Sequence, residues 1–116
     1  MQDESPRSRR FSARINTKDG VWVYWSCSGR GDVSRVHDLS SGGLFLETHE
    51  RMPLNSKLTV HFLVQEGQIR ADAAVRHAEP GRGLGLKFIA LRGEDLSNFE
   101  ALFRRLRESS RSRDAA

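Results

Sequence analysis

The chain has few of the features that mark a secreted domain, a metalloprotein or a membrane protein. It holds one cysteine, Cys27, in 116 residues, which excludes an internal disulfide. No cluster of cysteine and histidine stands at zinc-ligand spacing, so no metal is expected. No apolar run is long enough to span a bilayer, and the opening Met1-Gln2-Asp3-Glu4-Ser5-Pro6 lacks the apolar stretch of a signal peptide. These absences lead to the expectation of a soluble, cytoplasmic chain. At this length one hydrophobic core can form, with no room for a second domain. Strong charge imbalance is also missing: 19 Lys and Arg against 15 Asp and Glu leave a net charge of +4. That excess favours an anionic partner but is too mild to identify a DNA-binding protein. The positive charge gathers at the two ends, from Arg7 to Arg14 and from Arg104 to Arg113, which makes the ends the candidates for anion contact.

What is present reads as short strands. Val21-Trp22-Val23-Tyr24-Trp25 is β-branched and aromatic throughout. A turn at Gly29-Arg30-Gly31-Asp32 precedes a second strand that starts near Val33 and Val36 and runs into Asp38. Leu44-Phe45-Leu46 makes a third, and Pro53 with Asn55-Ser56 breaks the chain after it. Leu58, Val60, Phe62 and Val64 alternate with their neighbours, and so do Ile69, Ala71, Ala73 and Val75 beyond the Glu66-Gly67 turn. Pro80-Gly81 turns the chain into a last strand from Gly83 to Ile89. Short antiparallel strands with tight turns imply a small barrel or rolled sheet. The period then changes: Leu96, Phe99, Leu102, Phe103 and Leu106 lie on one face of a helix that can cover a barrel mouth or meet a partner. Glu94 and Asp95 at its start and Arg104, Arg105 and Arg107 near its end suit the helix macrodipole. Residues 1–10 are polar and broken by Pro6, and the segment 1–14 is expected to be a flexible arm. The barrel and helix are expected over 15–108, followed by a frayed tail at 109–116.

Two clusters carry recognisable chemistry. Arg9-Arg10-Phe11-Ser12-Ala13-Arg14 supplies planar positive forks, which can grip phosphate oxygens or the O6/N7 edge of guanine in pairs. Asp38-Leu39-Ser40-Ser41-Gly42-Gly43 supplies a carboxylate acceptor for the N1 and N2 hydrogens of guanine, a hydroxyl, and glycines. Gly43 allows a positive φ or a close backbone approach to a ligand, while a β-bulge at Gly42-Gly43 is the purely structural alternative. Taken singly, an arginine-rich arm is usually just solvated, and a DxSxxG segment is usually an ordinary turn.

In this order and spacing the clusters resemble the PilZ domain, a bacterial receptor for cyclic di-GMP. Arg10 and Arg14 meet its RxxxR pattern, and Asp38, Ser40 and Gly43 meet its [DN]xSxxG pattern. The resemblance extends through Leu44-Phe45-Leu46, the Met52 to Leu58 turn, and Gly83 to Phe88. It implies an all-β, six-stranded antiparallel split barrel with a C-terminal helix packed at one end. It also implies cyclic di-GMP as the ligand, held by Arg9, Arg10, Arg14, Asp38, Ser40 and Gly43, with Gly42 and Arg76 as further candidates. Arg9, directly before RxxxR, implies an intercalated ligand dimer. The arm would order over the ligand, changing contact with an unidentified downstream protein that controls motility, exopolysaccharide or virulence. No catalytic residue, metal or separate cofactor belongs to this picture.

Three other readings compete. His37, Asp38 and Ser40 are triad residue types, but neighbours on one strand point to opposite faces and do not form a relay. Gly81-Arg82-Gly83-Leu84-Gly85 enters a strand and lacks the Lys-Ser/Thr ending of a phosphate loop. A basic barrel binding nucleic acid would want aromatics interleaved with arginines, and here they are separate, with Trp22 and Trp25 better read as core or partner surface. An adaptor of the same fold that binds only proteins would usually lack one of the two motifs, and both are intact.

Overall fold

The computed structural model describes residues 15–115. Six antiparallel strands follow one another: β1 (Ile15–Cys27), β2 (Arg30–Ser40), β3 (Gly43–Glu47), β4 (Lys57–Leu63), β5 (Arg70–Glu79) and β6 (Gly83–Leu91). A 3-10 turn at Gly93–Asp95 leads into one long helix, α1 (Leu96–Ala115). The strands close into a barrel in the order β1-β2-β3-β6-β5-β4. The six-stranded barrel with a C-terminal helix is the fold the sequence led us to expect.

Period-2 alternation drives the closure. On β4, Leu58, Val60 and Phe62 are buried while Lys57, Thr59, His61 and Leu63 face out. Val21, Val23 and Trp25 of β1 do the same, so Trp25 belongs to the core, where its indole N–H donates to the Ser34 hydroxyl at 3.0 Å. Trp22 and Tyr24 point outward. Cys27 packs against the core from its edge. The apolar stripe of α1 covers one mouth of the barrel: Phe99, Leu102, Phe103 and Leu106 are all buried. There Phe99 meets Phe103 edge-on, with ring centroids 4.9 Å apart. The helix thus acts as a stopper, and its middle is tied down by an ion pair: Arg105 grips Glu66 through Nε–Oε2 at 2.5 Å and Nη2–Oε1 at 3.1 Å. It runs on through the span 109–115, past the last apolar residue of its stripe.

Two boundaries differ from the sequence expectation. The β1–β2 turn is not Gly29 to Asp32 but the two residues Ser28 and Gly29, with φ of 51° and 82°, and Cys27 pairs with Arg30 across it. Two successive positive φ values match the twist of a tight hairpin, which lets both strands run longer. Strand β1 also begins well before Val21. Ile15 and Asn16 pair with Leu39 and Asp38, and an irregularity then lifts the chain out of register until Val21 meets Val36. Thr17 is buried at that irregularity, its hydroxyl donating to the Val36 carbonyl, and Arg35 reaches the Thr17 carbonyl at 3.1 Å.

Candidate functional site

The β1–β2 pairing decides where the two sequence clusters meet. Asn16 lies opposite Asp38 and Ile15 opposite Leu39, so the chain enters the barrel directly alongside the Asp38–Gly43 segment. Arg9, Arg10 and Arg14 lie outside the described residues.

The Asp38 side of the site is fully described. Asp38, Ser40 and Gly42 line an open depression of about 600 Å³ together with Phe45, Arg76, His77, Glu79, Arg82 and Lys87. This volume falls within the range of small-ligand pockets, roughly 300–1,000 Å³. Asp38 is partly exposed, and its Oδ2 meets His37 Nδ1 at 3.1 Å. Ser40 is buried, and its oxygen serves the β2–β3 corner: it accepts from the Gly42 N–H at 3.2 Å and donates to the Gly43 carbonyl at 3.4 Å. The triad-type residues His37, Asp38 and Ser40 therefore show no His37–Ser40 bond among the described contacts; the hydroxyl is occupied by its own turn.

Gly43 has neither of the conformations the sequence suggested. Its φ is not positive, and the β2–β3 irregularity lies between Val36 and Asp38 instead of at Gly42-Gly43. The reason for a glycine is steric: a Cβ there would collide with the Leu86 carbonyl oxygen of β6, with the Leu86 carbonyl carbon only 3.1 Å away. The close approach is between two strands of the barrel. Gly42 has more room, its nearest neighbour being Ser40 Oγ at 3.9 Å.

Arg76 reaches the depression for a reason no local pattern reveals. Val75 pairs with Leu86 and His77 with Gly85, so Arg76 is the extra residue of a bulge. The bulge turns both Arg76 and His77 toward one concavity, which ordinary alternation would forbid. The opposite rim holds residues that were not among the candidate ligand residues. Arg82, in the turn between β5 and β6, lies over the Phe45 ring with its guanidinium carbon 5.1 Å from the centroid. His37 meets the same ring edge-on at 6.1 Å. Phe45 has outward parity on β3 yet is buried, because these two side chains cover it. Glu79 links the rim, accepting from Arg82 and standing 2.9 Å from His77 Nε2. Its carboxyl is held below the usual range, first by His77 and then by Arg82. The only sequence signal for Arg82 was an arginine set among glycines in a turn.

Arg76, Arg82 and Lys87 against Asp38 and Glu79 make a mixed polar concavity with surplus positive charge. Among the described residues no group of three or more potential ligands could hold a metal ion, and no helix is long and apolar enough to cross a membrane. The depression's surplus of positive charge suits an anionic group. The PilZ domain family model matches residues 4–105, and the chain belongs to that family. The structure is similar to the PilZ domain with cyclic di-GMP of YcgR from Escherichia coli, with a TM-score of 0.70 at 16% identity, covering 89% of this chain and 95% of that one. It is also similar to MrkH of K. pneumonia in its apo state, with a TM-score of 0.70 at 16% identity, covering 97% of this chain and 55% of that one. No curated protein matches the sequence.

Proposed function

We propose that the chain is a non-catalytic, cytoplasmic receptor for cyclic di-GMP. The observation that carries this is the pairing of Asn16 with Asp38, which brings the chain carrying Arg9, Arg10 and Arg14 into the barrel beside the depression lined by Asp38 and Ser40. Likeness to the YcgR domain, described with cyclic di-GMP, supports the same reading.

Two phosphodiesters and two guanines need charge neutralisation and edge recognition, with no bond broken. Arg10 and Arg14 clamp phosphate or guanine O6/N7 from one side. Asp38 accepts from the guanine N1 and N2 hydrogens, and Gly42, Gly43 and Ser40 keep the corner low enough for a base to approach. Arg76 adds charge from the opposite strand. Arg9 supports a second, intercalated ligand molecule. Binding orders residues 1–14 over the barrel and so changes the surface offered to a downstream protein.

Isothermal titration of the wild type beside Arg10→Ala, Arg14→Ala and Asp38→Ala, with GTP and cyclic di-AMP as controls, tests the reading. Selective binding lost in the variants sustains it, and a stoichiometry near two per chain sustains the role of Arg9. A folded wild type that binds nothing sinks it.

A further inference from the structure

A second concavity lies on the barrel, apart from the depression. It is a groove of about 270 Å³ between β6 and α1, lined by Phe88, Ile89, Leu91, Leu96, Phe99 and Phe103. Ile89 and Leu96 are 55% and 46% exposed, so large apolar side chains stand in water at its mouth. Ser41 and Glu100 complete the lining, and the Phe88 N–H donates to the Gly42 carbonyl, next to Ser41, at 2.8 Å.

We propose that this groove is the docking site of the chain's own Phe11. Three observations converge on it. First, β1 and β2 are antiparallel with Ile15 opposite Leu39, so continuing that pairing beyond Ile15 would carry the preceding residues past Ser40 toward Ser41, which borders the groove. Phe11 stands four positions before Ile15, a reach of roughly 14 Å when extended. Second, the parity fits. Ile15 packs against the core, and Phe11 and Ala13 share its parity, whereas Arg10, Ser12 and Arg14 have the other. An anchored Phe11 therefore leaves both arginines of the RxxxR pair on the side away from the groove. Third, Phe11 is the one aromatic residue within 1–14, and Arg9, which shares its parity, complements Glu100 in the groove lining. The inference does not depend on the identity of the nucleotide, since it concerns an apolar contact made by the chain with itself.

The test is nuclear Overhauser spectroscopy on the full chain with labelled isoleucine and leucine methyls, without ligand and with saturating cyclic di-GMP. Contacts from the Phe11 ring to Ile89, Leu91 or Leu96 methyls in either state are the expected result, with those methyl resonances moving in Phe11→Ala. Absence of such contacts in both states overturns the docking, even if cyclic di-GMP binds. Contacts that prove intermolecular in a mixed labelled and unlabelled sample give the groove to a second copy and equally overturn it. Contacts within the chain in a protein that fails to bind cyclic di-GMP leave the anchor standing and remove the receptor reading alone.

Discussion

Arg70 holds Asp95 in a two-pronged grip, Nε to Oδ2 at 2.9 Å and Nη2 to Oδ1 at 3.2 Å, while its backbone N–H donates to Oδ2 at 3.0 Å. Asp95 is 3% exposed, and the pair fastens the start of α1 to β5. Glu94 adds a further bond to the same guanidinium at 2.9 Å. The acidic residues before the helix are thus spent on a specific arginine, beyond any contribution to the macrodipole.

That grip makes the fold acid-sensitive. Hydrogen bonding from Arg70 holds the Asp95 carboxyl below its ordinary value, and Arg105 does the same for Glu66. A carboxyl with a lower pKa in the folded state contributes stability that is fully present above its unfolded value, about 4, and lost as the pH falls toward the folded value. The urea midpoint is therefore expected to hold steady from neutrality to about pH 5 and to drop below about pH 4. Asp95→Asn and Glu66→Gln should each lower the midpoint at pH 7 and flatten the acid slope. A slope unchanged in both would show that other carboxylates govern it.

Gly43 and Gly42 should respond unequally to the same methyl group. Gly43→Ala forces a Cβ onto the Leu86 carbonyl of β6 and is expected to cost about 1–3 kcal/mol or more. Gly42→Ala meets nothing closer than 3.9 Å and should stay within about 0.5 kcal/mol. Equilibrium unfolding of the two variants checks this, and equal costs would refute the steric account of the motif's last glycine.

The Arg76 and Arg82 side of the depression should matter for affinity. Arg82→Ala and Arg76→Ala are each expected to weaken cyclic di-GMP binding about tenfold or more, the worth of a charge-assisted hydrogen bond. Glu79→Gln should strengthen it, because Glu79 competes for Arg82. Calorimetric titration decides the point; wild-type affinity in Arg82→Ala would place the ligand elsewhere.

Phe103 tests the role of the helix. It is buried at the barrel mouth against Phe99, so Phe103→Ala should cost about 3–5 kcal/mol by urea unfolding. A cost under about 1 kcal/mol would mean that α1 is a dispensable output surface and no stopper.

The strands of the barrel were legible because alternation such as Leu58-Val60-Phe62 is a local signal, and α1 because Leu96 to Leu106 keeps a helical period. The opening of β1 was not: Asn16-Thr17-Lys18-Asp19-Gly20 has no apolar alternation, and its ends are held by pairing with β2 and by the buried Thr17 hydroxyl. Closure was beyond local reading too, since the β1–β4 and β3–β6 pairings join segments distant in sequence. At the site, Asp38, Ser40, Gly42 and Arg76 do share one concavity. Arg82, weighed only as part of a phosphate-loop pattern, and Lys87 could not be placed at this depression from the sequence, because it is the β5–β6 hairpin that brings them there. At Gly43 the demand for glycine visible in the structure comes from Leu86, more than forty residues away, which no local pattern reveals.

The corner between β2 and β3 belongs to two concavities at once. Ser40 and Gly42 line the polar depression, while Ser41 between them borders the apolar groove. Inserting or deleting a single residue here would swap which hollow each side chain serves. The length of this corner is therefore as strict a requirement as its composition, and a family pattern written with fixed spacing from Asp38 to Gly43 is, in this chain, a ruler laid between two hollows.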